Sequence, residues 1–293
     1  MTFELLMGLL FATARMSLPV LYAGTGGYFS EKSGVPQIAL EAYLLVGAFT
    51  AASVTYSSHS VLLGFLAAGV VCVLFAQIFN YLIFILKANA IVVGTGLNLL
   101  AMGFIPIVSK LLFDSTGSTP SIDTSESAHQ NTLYIVVGMT ILVIILMYLL
   151  SEKTTWGLQI KFAGEKSEAL KSVGVSPITR RWQAVSLAAF ITGLGGGILS
   201  TYLASSYSPL MSAGRGFIAL AAVIFAGWNL PKTWIVVLFF GLTESLQIQI
   251  QNMDLGFQIP NEFIQMLPYI VTLLALLIMK NKQLAPKEIG SVL

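Results

Sequence analysis

The chain reads as an all-α polytopic membrane protein, with about nine transmembrane segments in a single transmembrane domain over residues 1–293. Three observations predict this. Of its residues 56% are hydrophobic and only 10% charged, far from the roughly 25% charge of soluble domains. Apolar runs of spanning length follow one another with short breaks, and the mean hydropathy is +0.84. The one long polar interval, 151–181, carries Lys153, Lys161, Lys166, Lys171, Arg180 and Arg181 against Glu152, Glu165 and Glu168. Short loops rich in Lys and Arg are retained on the cytoplasmic face, so 151–181 is expected to be a cytoplasmic loop.

A span needs about 20 mostly apolar residues, which places segments near 5–29, 35–57, 60–86, 90–113, 132–150, 182–205, 216–229, 233–251 and 262–279. The first run lacks a small-residue cleavage pattern behind a basic n-region, so it reads as a span and not a cleavable signal peptide. It holds Arg15 and the second holds Glu41. An ionisable group within a span costs about 2.5–3.5 kcal/mol and asks for a partner or a water-lined cavity. Arg15 and Glu41 can pair with each other, or Glu41 can serve a transport path. The third holds Cys72, the lone cysteine. The fourth carries Thr95 and Asn98, suited either to a polar path or to interhelical hydrogen bonds. Lys110 and Arg215 lie near expected span ends, where long basic side chains snorkel.

Within the polar interval, Gly164 and Gly174 bracket good helix formers, with Leu170 and Val173 spaced for one apolar face. About nine residues make a marginal helix without a partner surface, so a docking element is expected there. Glu165 and Glu168 would meet basic groups on the partner, and Ala169 and Leu170 would pack. In the sixth segment, Ala189, Gly193, Gly197, Thr201 and Ser205 recur every four residues, a small-residue ridge that lets another helix approach closely. Gly195-Gly196-Gly197 is no phosphate loop, because no Lys-Ser/Thr follows and the glycines lie in an apolar span. The seventh segment is short and ends at Trp228-Asn229-Leu230-Pro231, which predicts a broken or re-entrant helix. In the eighth, Glu244, Gln247 and Gln251 form one polar stripe at helical spacing. Such a stripe should face protein or a water-filled path.

With 151–181 inside, alternation collects twelve of the 15 basic residues on the cytoplasmic side. The N-terminus is then outside and the C-terminus inside. One thiol and the isolated His59 and His129 exclude a cysteine metal cluster and make a structural metal site unexpected. No Ser/His/Asp set, HExxH or paired carboxylates indicate a catalytic site, and nothing suggests nucleic acid. The readings left open are a transporter and an intramembrane enzyme using Glu41 or Glu244.

Four stretches carry a resemblance. Gly27-YFSEKSGVPQIALEAYLLVGAF-Thr50, Gly94-TGLNLLAMG-Phe104, GEKSEALKSVG ending at Gly174, and Met211-SAGRGFIALAAVIFAGWNLP-Lys232 are similar to motifs of the membrane permease subunits of ABC importers for nucleosides and simple sugars. That group includes ribose and branched-chain amino-acid permeases. Gln37 stands for the family's usual Asn, Ala39 and Ala42 for glycines, and Ser167 for the usual Pro of the coupling loop. The resemblance implies a type II ABC importer permease-like fold in a bacterial inner membrane, with 164–174 as the coupling helix. It implies nucleosides or purines as substrate, with a simple sugar or riboflavin-like compound as the alternative. No cofactor is implied on this chain: ATP and Mg belong to a separate cytosolic ATPase. The other implied partners are a second, non-identical permease subunit and an extracytoplasmic substrate-binding protein. A secondary transporter is the main competing mechanism; inverted repeats would mark it, and none is visible.

Overall fold

A computed structural model describes residues 3–122, 125–252, 266, 270 and 285–290. Among these residues there are ten α-helices and no strands: α1 (Phe3–Lys32), α2 (Leu40–Ser58), α3 (Val61–Asn80), α4 (Ala90–Phe113), α5 (Glu126–Lys153), α6 (Thr155–Glu165), α7 (Ser167–Ser172), α8 (Pro177–Ile198), α9 (Arg215–Phe225) and α10 (Leu230–Asn252). π-Helical turns prolong α3 over Tyr81–Ile85 and α8 over Leu199–Leu203. Among the described residues, six helices are long and apolar enough to cross a membrane: α1, α3, α4, α5, α8 and α10, counting the π extensions. These correspond to six of the expected segments. The expected segment 35–57 is α2, and 216–229 is the 11-residue α9 with the turn behind it. The expected span 262–279 lies outside the described residues.

α8 is the centre of the bundle, with 83% of its apolar window buried. Its glycines explain how three helices reach it at once. A Cβ on Gly195 would meet Tyr22 of α1, and one on Gly196 would run into the Leu44 carbonyl of α2. On the third side, Gly193 lies against Ala68 and Cys72 of α3, and Gly197 against Phe65. The Gly-Gly-Gly run therefore works on three faces, whereas a spacing of four identifies only one. α2 packs so closely that a Cβ on its Gly47 would run into Gly193. α2 is enclosed without a break from Leu40 to Phe49 and opens toward its end, where Tyr56, Ser57 and Ser58 are exposed.

The two ends of the bundle hold different segments. At one end, the turn after α1 meets α6 through the Lys32–Glu165 ion pair at 3.1 Å. The same end holds Trp228, whose indole N–H donates to Glu31 Oε2 at 3.1 Å, and the turn after α3, where Phe84 packs on Trp182. At the far end the 119–122 segment bonds to Ser205 and Tyr207. Arg15 is exposed and lies over the Tyr202 ring, 5.3 Å from its centroid, and Glu41 bonds elsewhere. Of the two readings of Glu41, pairing with Arg15 is thus the one the geometry does not form.

The polar interval is more ordered than a loop with one short helix. α5 runs on to Lys153, α8 starts at Pro177, and α6 fills much of the space between them. Thr154 caps α6, its hydroxyl accepting from Gly157 N at 3.0 Å. Gly164 and Glu165 belong to the end of α6, so the short helix that the glycines were expected to bracket is only Ser167–Ser172.

Candidate functional site

Two helices begin inside the bundle and not at its surface. The α2 start sits beside Gly27 of α1, where Leu40 packs, and its first turn is held by Asn98 of α4. The Asn98 carboxamide oxygen accepts from Ala42 N at 2.9 Å, and its Nδ2 donates to the Ile38 carbonyl at 3.0 Å. Asn98 is eight residues into α4, about 12 Å at 1.5 Å per residue. The α9 start meets α2 there. Glu41 Oε1 accepts from Ser212 Oγ at 2.5 Å and from Gly214 N at 2.9 Å, and Oε2 accepts from Gly216 N at 2.8 Å. The carboxylate, 3% exposed, thus satisfies the orphan donors of a helix N-terminus and complements its dipole. Only glycine fits at 216, because a Cβ would run into the Glu41 backbone, and Gly214 adopts φ +80.

Beside this junction, Arg215 and Glu244 form an ion pair joining α9 to α10, and Arg215 Nη1 also donates to the Met211 carbonyl at 3.1 Å. Both side chains are mostly buried. Glu244 is fourteen residues along α10, about 21 Å from its start, so the pair lies well inside the bundle and away from that end of the helix. Arg215 therefore does not snorkel at a span end. Lys110 does sit near one, exposed and paired with Asp114 at 2.8 Å. Every residue from 246 to 251 is half-buried, Gln247 and Gln251 included, so no single polar face separates them. Thr95 diverges from Asn98. It is exposed, with its hydroxyl on the Ile91 carbonyl at 2.9 Å.

The docking element lies at the end that holds Lys32. Gly164 packs directly on the Lys32 carbonyl, and Glu165 is paired with Lys32 within the chain while 38% of its side chain stays exposed. Leu170 is buried in its own chain and anchors α7. The exposed residues are Lys166, Glu168, Lys171, Ser172, Val173 and Gly174, with Ala169 half-buried. Residues 285–290 also return here. Glu288 Oε1 accepts from Ser167 N at 2.7 Å and Oε2 from Arg181 Nη2 at 2.9 Å. Partial burial works against the Glu288 carboxylate, but the bonds from Ser167 and Arg181 outweigh it and hold its pKa below the usual carboxylate value.

Two helix starts meeting inside a bundle of apolar helices, with irregular backbone enclosed by protein, form an arrangement found in membrane transport proteins. The chain belongs to the family described as "Branched-chain amino acid transport system / permease component", whose model matches residues 9–276. It is 30% identical to the guanosine ABC transporter permease protein NupQ of Bacillus subtilis, covering 95% of this chain and 94% of that one. It is 29% identical to the nucleoside ABC transporter permease protein NupC of Lactococcus lactis, over 94% and 92%. A putative glucose ABC transporter permease of Haloferax volcanii, TsgC13, is 28% identical over 85% and 79%. No solved structure matches. Membership makes this chain a transport subunit and not itself an enzyme.

Proposed function

We propose that the chain is the transmembrane permease subunit of an ATP-driven importer for nucleosides. The observation that carries this reading is the end-to-end similarity to a nucleoside permease and a guanosine permease. In this reading nine crossings, with α9 as the broken seventh, form a type II importer permease in a bacterial inner membrane. The N-terminus is outside; the C-terminus and 151–181 are cytoplasmic, an orientation supported by the gathering of Lys32, Lys161, Arg181 and residues 285–290 at one end. A non-identical second permease subunit, a cytosolic ATPase carrying ATP and Mg, and an extracytoplasmic binding protein complete the machine. Thr95 points away from the bundle, so a path that it lines runs between two permease subunits, with Glu244, Gln247 and Gln251 bordering it from α10. The test is uptake of labelled guanosine, adenosine and uridine by the reconstituted importer, competed with glucose, ribose and riboflavin. ATP-dependent nucleoside uptake untouched by the sugars is expected. Uptake of glucose alone would instead support the sugar reading that the Haloferax relative suggests.

Orientation is tested by cysteine labelling in a Cys72→Ser background, since Cys72 is fully buried. Cysteines at Thr116 and Ser172, both exposed and at opposite ends, should label from opposite sides of the membrane. Labelling of both from one side would overturn the topology.

Docking of α7 is tested by Ala169→Arg. A desolvated contact at a hot spot costs about 2 kcal/mol or more when disrupted, roughly thirtyfold in binding. The variant should insert in the membrane and lose the copurifying ATPase. Full ATPase retention with normal uptake would remove the coupling role.

A further inference from the structure

α7 has only six residues and one buried side chain, Leu170, too few to hold a helix in place alone. Lys166, between α6 and α7, is extended at φ −160 and ψ 84. A helix joined through one extended residue would pivot there and absorb a push. It is held from an unexpected quarter, by residues 285–290. Glu288 N donates to the Gly164 carbonyl at 2.8 Å, and Gly290 N donates to the Gly34 carbonyl at 3.0 Å. The Glu288 carboxylate takes the α7 N-terminus through Ser167 N and the start of α8 through Arg181. Arg181 itself donates to the Ser33 carbonyl at 3.1 Å and the Ala163 carbonyl at 2.7 Å.

We propose that this C-terminal segment is a strap, and that Glu288 is a positioning residue which locks α7 to α6, α8 and the α1–α2 turn so that motion imposed on α7 reaches the bundle. The proposal rests on the reading of α7 as the ATPase dock. Beyond the strap the connection continues through packed groups. Gly34 lies in the turn where Glu31 accepts from Gln37 N at 2.8 Å and from Trp228. That turn leads to Glu41 on one side, and Trp228 closes α9 on the other. Ser167 is what makes the Glu288 bond possible, since the Pro usual in the resembling coupling loops has no N–H to donate.

The test uses the complete importer with three single variants. Ser167→Pro keeps a residue well suited to the first helical position and deletes both the backbone N–H and the hydroxyl that Ser167 offers to Glu288. Glu288→Gln keeps an acceptor and removes the charge, and Glu288→Ala removes both. Membrane abundance and ATPase copurification should persist in all three, while stimulation of hydrolysis by substrate-loaded binding protein and uptake both fall. The fall should be largest in Glu288→Ala, on the order of tenfold, as expected for losing charge-assisted hydrogen bonds. It should be smaller in Ser167→Pro and partly restored in Glu288→Gln. Normal uptake in Glu288→Ala and Ser167→Pro, with Ala169→Arg still stripping the ATPase, would overturn the strap and leave the dock standing. Loss of membrane abundance would overturn it too, by showing a role in assembly. ATPase retention in Ala169→Arg would mean that the dock itself is misplaced.

Discussion

Glu41→Ala is expected to abolish uptake and to lower the unfolding temperature of the detergent-solubilised permease. The carboxylate accepts from Ser212, Gly214 and Gly216 at a site almost closed to solvent. Deleting it strands three donors where water does not replace it. Each buried donor left unpaired costs about 1–3 kcal/mol, and the loss of negative charge removes the complement to the α9 dipole. Glu41→Gln should be only slightly better, because its amide offers one acceptor oxygen and turns an NH2 toward donors. Glu41 belongs to the expected substrate path, yet the geometry assigns its oxygens to α9. The two roles differ in outcome. A residue that contacts substrate would raise KM and leave the unfolding temperature in place, whereas one that positions α9 should lower both stability and transport. Unchanged abundance, unfolding temperature and uptake in Glu41→Ala would rule out both.

What was legible in the sequence follows from what one-dimensional signals contain. Length and hydropathy located the long helices, and the basic residues of 151–181 pointed to one common end, because composition is a property of a segment taken alone. Glu41 and Asn98 stood out as polar groups in apolar context for the same reason. Their partners did not, since Ser212, Gly214 and Gly216 lie more than 170 residues beyond Glu41 and no periodicity connects them. α6 was hidden because Trp156, Leu158, Ile160 and Phe162 alternate with a period of two, with Leu158 and Phe162 exposed, so that only the Thr154 cap marks its start. Leu170 shows the complementary failure: an apolar residue at helical spacing predicts a buried face, but cannot say whether its own chain or a partner buries it. Glu288 has no sequence signature at all, because a strap is made by where the chain returns.

Arg215→Gln and Glu244→Gln are each expected to cut transport strongly, and the double variant tells why. Both side chains are mostly buried and face each other across α9 and α10. Removing one member of a buried ion pair costs roughly 3–5 kcal/mol, because the other is left uncompensated; the residual exposure here places the loss toward the low end. Replacing both together removes the isolated charge, so the damage of the singles should not add. If the pair only fastens α9 to α10, Arg215→Gln/Glu244→Gln should recover both abundance and uptake relative to either single variant. If Glu244 also borders the substrate path, the double variant should recover abundance and unfolding temperature while uptake stays low. The second result is expected, because Glu244 keeps part of its surface open and lies beside the half-buried Gln247 and Gln251. Single variants with wild-type abundance and uptake would remove the pair from both packing and path.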